Sequence, residues 1–276
     1  MRYLVVGCGN VGMELARRWT AAGHHVTGTT TSPGRVDEIA AVCASVAVLR
    51  GSDRAGIERA AAGADAVVIT VSPRVGRAFD ARDRVAEYAD TLTATARTAA
   101  DLHPRVVFTS SISVYGAGAG PLVDESGPLT TDPDASPRNF IAAEEAVLAH
   151  ARGAVLRIPD VYGHPRDLDY PARVRLAHRL LGGSVPFAGD ALLYRIDYRD
   201  AAAALDFVVT RDLAGAWNAV PDAAVPPANR AFFAAVAEAE GLPDLTYRGE
   251  IATPVVPVSS ARLRAEGFTF EHSEDD

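Results

Sequence analysis

The chain contains no lysine: in its 276 residues, all 27 Lys/Arg positions are arginine. A guanidinium stays protonated at any working pH, so a Schiff base, a lysine general base and a lysine-assisted tyrosine are all excluded. Cysteine is nearly absent too. Cys8 and Cys43 alone suggest neither a disulfide framework nor a cysteine-based zinc site. The seven histidines, at 24, 25, 103, 150, 164, 178 and 272, show no metal-ligand spacing, and no metal is expected. No apolar stretch approaches the length of a membrane span. The N-terminal apolar run is too short for the core of a signal peptide, so the cytoplasm is the expected compartment. Basic surface is lacking as well: the net charge of −8 argues against a nucleic-acid partner. With 48% hydrophobic and 22% charged residues, the chain reads as globular and can hold one large α/β domain plus a smaller appendage.

What is present begins at once. Residues 1–12 read MRYLVVGCGNVG, an apolar run that breaks into Gly7-x-Gly9-x-x-Gly12 and continues in helical rhythm from Val11 to Ala22. Leu4, Val5 and Val6 predict a buried strand, Gly7 the tight turn after it, and Gly9 a close approach of backbone to a pyrophosphate. Gly12 lets the helix pack on the strand, and the N–H groups at Asn10 and Val11 open that helix toward the phosphates.

The same strand–helix rhythm runs on to residue 158. Strands are expected at 2–7, 25–29, 46–49, 66–71, 105–110 and 153–158, and long helices at 79–102 and 137–151. Such alternation predicts an α/β fold, a doubly wound parallel sheet of Rossmann type. After residue 160 Pro, Gly and Asp become frequent, with helical pieces at 172–181, 200–210, 228–240 and 259–266. The expected division is a dinucleotide-binding domain of 1–160 plus about 192–212, with 161–191 and 213–276 forming a smaller C-terminal α+β substrate lobe. The closing residues Glu271 to Asp276 read as an acidic, solvated tail.

In a doubly wound sheet, ligands sit beyond the C-terminal ends of the strands. The second strand ends in Thr29-Thr30-Thr31-Ser32, with Arg35 downstream and no carboxylate at the strand end. Hydroxyls at Thr30, Thr31 and Ser32 together with Arg35 suit the 2′-phosphate of NADP, NAD being the alternative. A plainer reading is that Thr29 to Ser32 only cap the next helix, Ser32-Pro33 being its cap and first residue. The other strand ends contribute Thr70, Val71 and Ser72, then Ser110 and Ser111, then Pro159, as candidate cofactor-facing positions.

The glycine loop, Ser110-Ser111-x-x-Val114-Tyr115-Gly116 and Arg157-x-Pro159-x-Val161-Tyr162-Gly163 together resemble the extended short-chain dehydrogenase/reductases, the NAD-dependent epimerase/dehydratase superfamily. Arg195 to Ala201, Ala216 to Val220 and Ser259 to Ala265 are similar to later segments of that family, so the resemblance spans the chain. It implies that Ser111 hydrogen-bonds the reacting oxygen; otherwise Ser111 is a strand-end hydroxyl capping backbone. The Asp-Glu pair of the sugar dehydratases is replaced by Ile112 and Ser113, so water elimination by that route is not expected. The family's Tyr-x-x-x-Lys falls on Arg138 and Ala142, and neither role survives. The chain therefore resembles an atypical extended branch that keeps the nucleotide site and lacks the standard catalytic pair. The resemblance also implies a homodimer formed through helices 79–102 and 137–151, with Phe140, Ile141, Val147 and Leu148 as its apolar surplus. Glu144 and Glu145, which follow the lost pair on the same helix, read as solvated or dimer-facing rather than as replacements for the tyrosine.

Ser111, Tyr115 and Tyr162 are the candidate catalytic residues, and Arg138, His164 and Tyr170 the candidate substrate contacts. The expected function is an NADP(H)-binding oxidoreductase or epimerase-like enzyme for a small polar carbonyl or alcohol, an anionic one if Arg138 faces it. Two alternatives stand beside it: a non-redox isomerase or cyclase in the same cleft, and a non-catalytic NADP(H)-responsive binding or regulatory protein.

Overall fold

Strands that are apolar on both faces must be covered on both faces, and this requirement organises the chain. The computed structural model describes residues 1–73, 81–132 and 134–272. Its first half runs β1 (Arg2–Val6), α1 (Asn10–Ala21), β2 (His25–Thr30), α2 (Val36–Ala40), β3 (Ser45–Val48), α3 (Arg54–Ala61) and β4 (Ala66–Ile69). Then come α4 (Ala81–Tyr88), a π-helical turn (Ala89–Ala94), α5 (Thr95–Leu102), β5 (Val106–Ser111), α6 (Ala135–Leu148) and β6 (Ala154–Ile158). The remainder is β7 (Asp160–Tyr162), α7 (Tyr170–Leu181), β8 (Ser184–Phe187), β9 (Arg195–Asp197), α8 (Tyr198–Thr210), β10 (Gly215–Asn218), α9 (Asn229–Ala239), β11 (Thr246–Ile251) and α10 (Ala261–Ala265).

Seven strands form one parallel sheet in the order β10-β6-β5-β4-β1-β2-β3. This is the expected doubly wound Rossmann sheet. Leu4, Val67, Ile69 and Phe108 enter one core with residues of α3, α5 and α6, while Val5, Val68 and Val107 enter the other with α1 and α8. Each fully buried Val, Leu or Phe contributes on the order of 1.5–3 kcal/mol by leaving water. The chain winds outward in both directions from β1 and β4, so the ligand crevice opens between their C-terminal ends.

Several local expectations are adjusted. The strand that returns to the sheet is β10, at 215–218, a segment assigned from sequence to the lobe; β9 pairs instead with β7. Ser32 makes no side-chain cap, and Pro33–Arg35 form a short 3-10 turn ahead of α2. The cap of α6 is Asp134, whose carboxylate accepts from the Ser136 N–H at 2.8 Å. The start expected for the long helix, 79–80, lies outside the described residues. Tail residues Glu271 and His272 are not free in solvent. Both backbone N–H groups donate to the buried Asp200 carboxylate, and His272 Nδ1 lies 2.7 Å from it; residues 273–276 lie outside the described set.

The apolar surplus expected on α6 is largely consumed within the chain. Val147 is fully buried, Phe140 packs on Phe108 with ring centroids 6.2 Å apart, and Leu148 alone of the four is exposed. The edge strand β10 is likewise closed to further pairing. Glu125 Oε1 accepts the Asn218 N–H at 2.7 Å, and Arg262 donates to the Ala216 carbonyl at 2.7 Å while lying over the Trp217 ring. Among the described residues no helix is long and apolar enough to cross a membrane.

Candidate active site

The glycine loop is stapled before any ligand is considered. The Gly7 N–H donates to Thr29 Oγ1 at 2.9 Å, and Thr70 Oγ1 donates to the Gly7 carbonyl at 2.7 Å. Gly7 has φ of +99°, and a Cβ there would lie 2.8 Å from Val71, so only glycine fits. At Gly12 a Cβ would lie 2.5 Å from the Gly7 carbonyl oxygen; this glycine exists so that α1 can approach the loop. Gly9 differs. A Cβ there would meet nothing within 4 Å, and no side chain caps the first turn of α1. Open space, bare glycine and uncapped N–H groups at Asn10 and Val11 fit a pyrophosphate. Thr70, by contrast, has its hydroxyl committed to the loop.

Beside the loop, Arg35 reaches back from its 3-10 turn and donates to the Cys8 carbonyl at 2.7 Å. Its Nε and Nη2 grip the carboxylate of Glu38, both at 3.0 Å. Those hydrogen bonds and the charges of Arg35 and Arg166 hold the Glu38 carboxyl below its usual range. Thr30 is buried and its Oγ1 accepts from the Ser32 N–H at 3.1 Å, whereas Thr31 is exposed and Ser32 half-buried. A carboxylate therefore does stand near the end of β2. It comes from α2 rather than from the strand, which is why the strand-end pattern does not show it.

Ser110 and Ser111 point to opposite sides of β5, as successive strand residues must. Ser110 is 2% exposed and donates to Glu144 at 2.5 Å, so its side chain turns into the protein and away from a cofactor-facing role. Glu144 itself is buried, not solvated: it is gripped by Arg157 Nε and Nη2, while Arg157 Nη1 donates to the Tyr115 hydroxyl at 2.8 Å. Burial opposes the Arg157 charge, and Glu144 more than offsets it, raising that pKa. The Tyr115 hydroxyl in turn donates to Asn218 at 2.8 Å, and burial raises its pKa despite Arg157. Tyr115 is 3% exposed, and the network occupies its hydroxyl, which removes it as a proton donor at the cleft.

Ser111 is half-buried at the mouth of the sheet, paired in register with Ile158 at the end of β6. Its Oγ accepts from the Ser113 N–H at 3.1 Å. With an acceptor position filled by backbone, its O–H remains to donate.

Beyond β6, Pro159 is buried and the chain turns along a cavity of about 280 Å³. Tyr162, His164, Tyr170 and Arg173 are among its walls, so three of the residues singled out from sequence do converge there. His164 Nδ1 accepts from the Arg166 N–H at 3.1 Å. Burial, followed by the Arg166 charge, lowers its pKa, so the ring is neutral near pH 7. Tyr170 is held protonated by burial and by Asp160, which raise its pKa. Arg173 pairs with Asp160 at 2.7 Å, and Arg195 lies over the rings of Tyr170 and Phe232. Arg138 is absent from this constellation. It is exposed on α6, whereas Phe140, two residues on and so on the opposite face, packs against the 3-10 turn Ile112–Tyr115 that follows Ser111. The arginine in the cavity wall is Arg173, with Arg195 stacked on the Tyr170 ring; the sequence reading missed both because nothing local distinguishes them from solvated arginines.

A model of the NAD dependent epimerase/dehydratase family matches residues 3–220. Among solved structures, the chain is similar to the Bordetella bronchiseptica enzyme WbmG in complex with NAD, at 20% identity and a TM-score of 0.78 over 100% of this chain and 91% of that one. It is similar to an Agrobacterium tumefaciens short-chain dehydrogenase/reductase superfamily protein with bound NAD, at 20% identity and a TM-score of 0.76 over 100% and 94%. A UDP-glucose 4-epimerase with UDP-glucose from Thermotoga maritima aligns at 16% identity and a TM-score of 0.74 over 99% and 94%. No curated protein matches the chain.

Proposed function

The chain belongs to the NAD-dependent epimerase/dehydratase family, and we propose that it is an NADP(H)-dependent oxidoreductase or epimerase-like enzyme acting on a small polar carbonyl or alcohol. The observation that carries this reading is Ser111. One acceptor position of its hydroxyl is filled by the Ser113 N–H, which leaves the proton to polarise a substrate oxygen at the C-terminal end of β5. A nicotinamide bound there would take or return the hydride. The chain's own residues would bind the dinucleotide through the open face of Gly9 and the first turn of α1.

With no lysine in the chain and Tyr115 locked in the interior, the proton falls to the cavity wall. Tyr170 stays protonated, with its hydroxyl directed toward Asp160 Oδ2 at 3.5 Å. His164, neutral and with Nδ1 accepting, presents Nε2–H, and Tyr162 stands two residues before it. These two are the assigned proton-handling groups. The cavity, about 280 Å³, sits at the small end of ligand pockets and favours a compact substrate. Arg173, in the cavity wall, would offer its guanidinium to an anionic group in competition with Asp160, a role better placed there than at Arg138, exposed on α6.

The test is nicotinamide oxidation or reduction with a panel of small carbonyls and alcohols, using the wild type, Ser111→Ala, Tyr162→Phe and His164→Gln. Turnover that falls at least about a hundredfold in Ser111→Ala, with dinucleotide affinity retained, supports the reading. Dinucleotide binding with no turnover across the panel would instead favour a binding or regulatory protein. Conversion of substrate without any nicotinamide would favour a non-redox isomerase. A homodimer belongs to the same proposal. Its surface on α4 and α6 would centre on the exposed Val85 and Leu148, and sedimentation is the measurement that decides it.

A further inference from the structure

The turn after β7 crosses from the substrate cavity to the nucleotide cradle. It is closed by the Asp167 N–H donating to the His164 carbonyl at 2.9 Å and by the Arg166 N–H donating to His164 Nδ1. His164, Asp167, Leu168 and Asp169 all line the cavity. Asp167 also faces the cradle: its Oδ1 accepts from the Asn10 side chain at 2.8 Å, in the first turn of α1. Arg166 Nη1 donates to Glu38 Oε1 at 2.9 Å. That same oxygen accepts from Arg35 Nη2 at 3.0 Å. Two guanidinium groups, 131 residues apart in sequence (166 − 35), therefore converge on one oxygen, and Arg35 also touches the carbonyl of Cys8 inside the glycine loop.

We propose that Arg166 is a second specificity-determining residue of the cofactor site, carried across from the substrate half on this turn, and that Arg35 and Arg166 together clamp the 2′-phosphate of a phosphorylated dinucleotide, with Glu38 holding the phosphate's place. The inference rests on the reading of the cleft as a dinucleotide site and deepens its preference for the phosphorylated form. A phosphate is the better occupant. It carries about −1.5 to −2 charges and three strong acceptor oxygens, against one charge and two oxygens for a carboxylate. Two arginines present more N–H donors than Glu38 can satisfy. Glu38 is 40% exposed at its side chain, so it can swing into water without leaving an unpaired buried charge. Because Asp167 latches the turn to Asn10, a phosphate that draws in Arg166 also sets the position of His164 in the cavity wall. Phosphorylated cofactor and substrate site thus share one contact surface.

The experiment measures fluorescence titration of NADPH and NADH, with adenosine 2′,5′-bisphosphate and adenosine 5′-monophosphate as fragment competitors, on the wild type, Arg166→Gln and Glu38→Gln. Arg166 is exposed, and thermal denaturation checks that both variants fold like the wild type. Arg166→Gln is expected to weaken NADPH and the bisphosphate by about tenfold while leaving NADH and the monophosphate within about twofold. Glu38→Gln is expected to hold or improve NADPH affinity. An unchanged NADPH-to-NADH ratio in Arg166→Gln overturns the proposal. So does a loss of NADH affinity in Glu38→Gln with a wild type that prefers NADH, because Glu38 would then be reading the ribose hydroxyl. Wild-type protein that binds neither dinucleotide would refute the reading of the cleft itself, a failure distinct from that of Arg166.

Discussion

Glu144 and Arg157 form an ion pair with Oε2 and Nη2 2.7 Å apart and side chains 1% and 4% exposed, directly behind the strand that carries Ser111. Every atom of the pair has a reason to be there: Ser110 donates to the carboxylate, and Tyr115 accepts from the remaining guanidinium nitrogen. Breaking a buried pair from one side leaves an uncompensated charge, whereas the intact pair adds little net stability. Glu144→Ala should therefore lower the unfolding free energy by about 3–5 kcal/mol, and Glu144→Gln by less. Denaturant titration measures this. A loss below about 1 kcal/mol in Glu144→Ala would show that water reaches the site.

Gly9 and Gly12 of the cradle should fail in different ways. Gly9→Val places its side chain in open space, so the fold and melting temperature are expected to be retained while dinucleotide affinity is lost. Gly12→Ala drives a methyl to 2.5 Å from the Gly7 carbonyl oxygen and 2.6 Å from Thr70 Oγ1, so stability itself should fall by about 1–3 kcal/mol. The opposite pattern in melting and binding would mean that the cradle lies elsewhere.

Acid should loosen the N-terminus of α6. Burial alone would raise the Asp134 pKa, but the Arg84 guanidinium and the Ser136 N–H outweigh it, and the carboxyl sits below its ordinary value. A depressed carboxyl contributes stability that is fully present above its unfolded pKa of about 3.9 and is lost as pH falls through the folded value. Asp134→Asn keeps a capping side chain and removes the ion pair. The variant should be less stable than the wild type by about 1 kcal/mol at neutral pH, and the gap should close below about pH 4. Equal gaps at both ends of the pH range would remove the ion pair from the account.

The two cysteines are brought together across β2. A Cβ built on Gly28 would lie 2.7 Å from the Cys8 sulfur and 2.8 Å from the Cys43 sulfur. Hydrogen bonding to Cys43, then burial, raises the Cys8 pKa and keeps it a thiol. With side chains this buried, a thiol reagent should leave both unmodified in the folded protein and titrate two thiols per chain in denaturant. Rapid modification of Cys8 in the native state would show that the glycine loop opens.

The strand–helix alternation, the glycine cradle and the resemblance carried by Ser111 and the two Val-Tyr-Gly segments were all legible in the sequence, because each is a local pattern. A buried parallel strand needs a continuous apolar run, and a pyrophosphate loop needs glycines at fixed spacing; both are satisfied within a dozen residues. What the tertiary structure decided is which side chains face the cleft. Ser110 and Ser111 are identical in sequence, and only the pleat of β5 sends one to Glu144 and leaves the other at the mouth. Tyr115 and Tyr162 sit in the same Val-Tyr-Gly motif, yet Arg157 and Asn218 draw the first into the interior. Arg138 is exposed because helical period, not its place in a motif, sets its direction. Glu38, Arg166 and Asp167 carried no signal at all. Their meaning comes from contacts such as Asn10 to Asp167, across 157 residues, and a contact of that range exists only once the chain has folded.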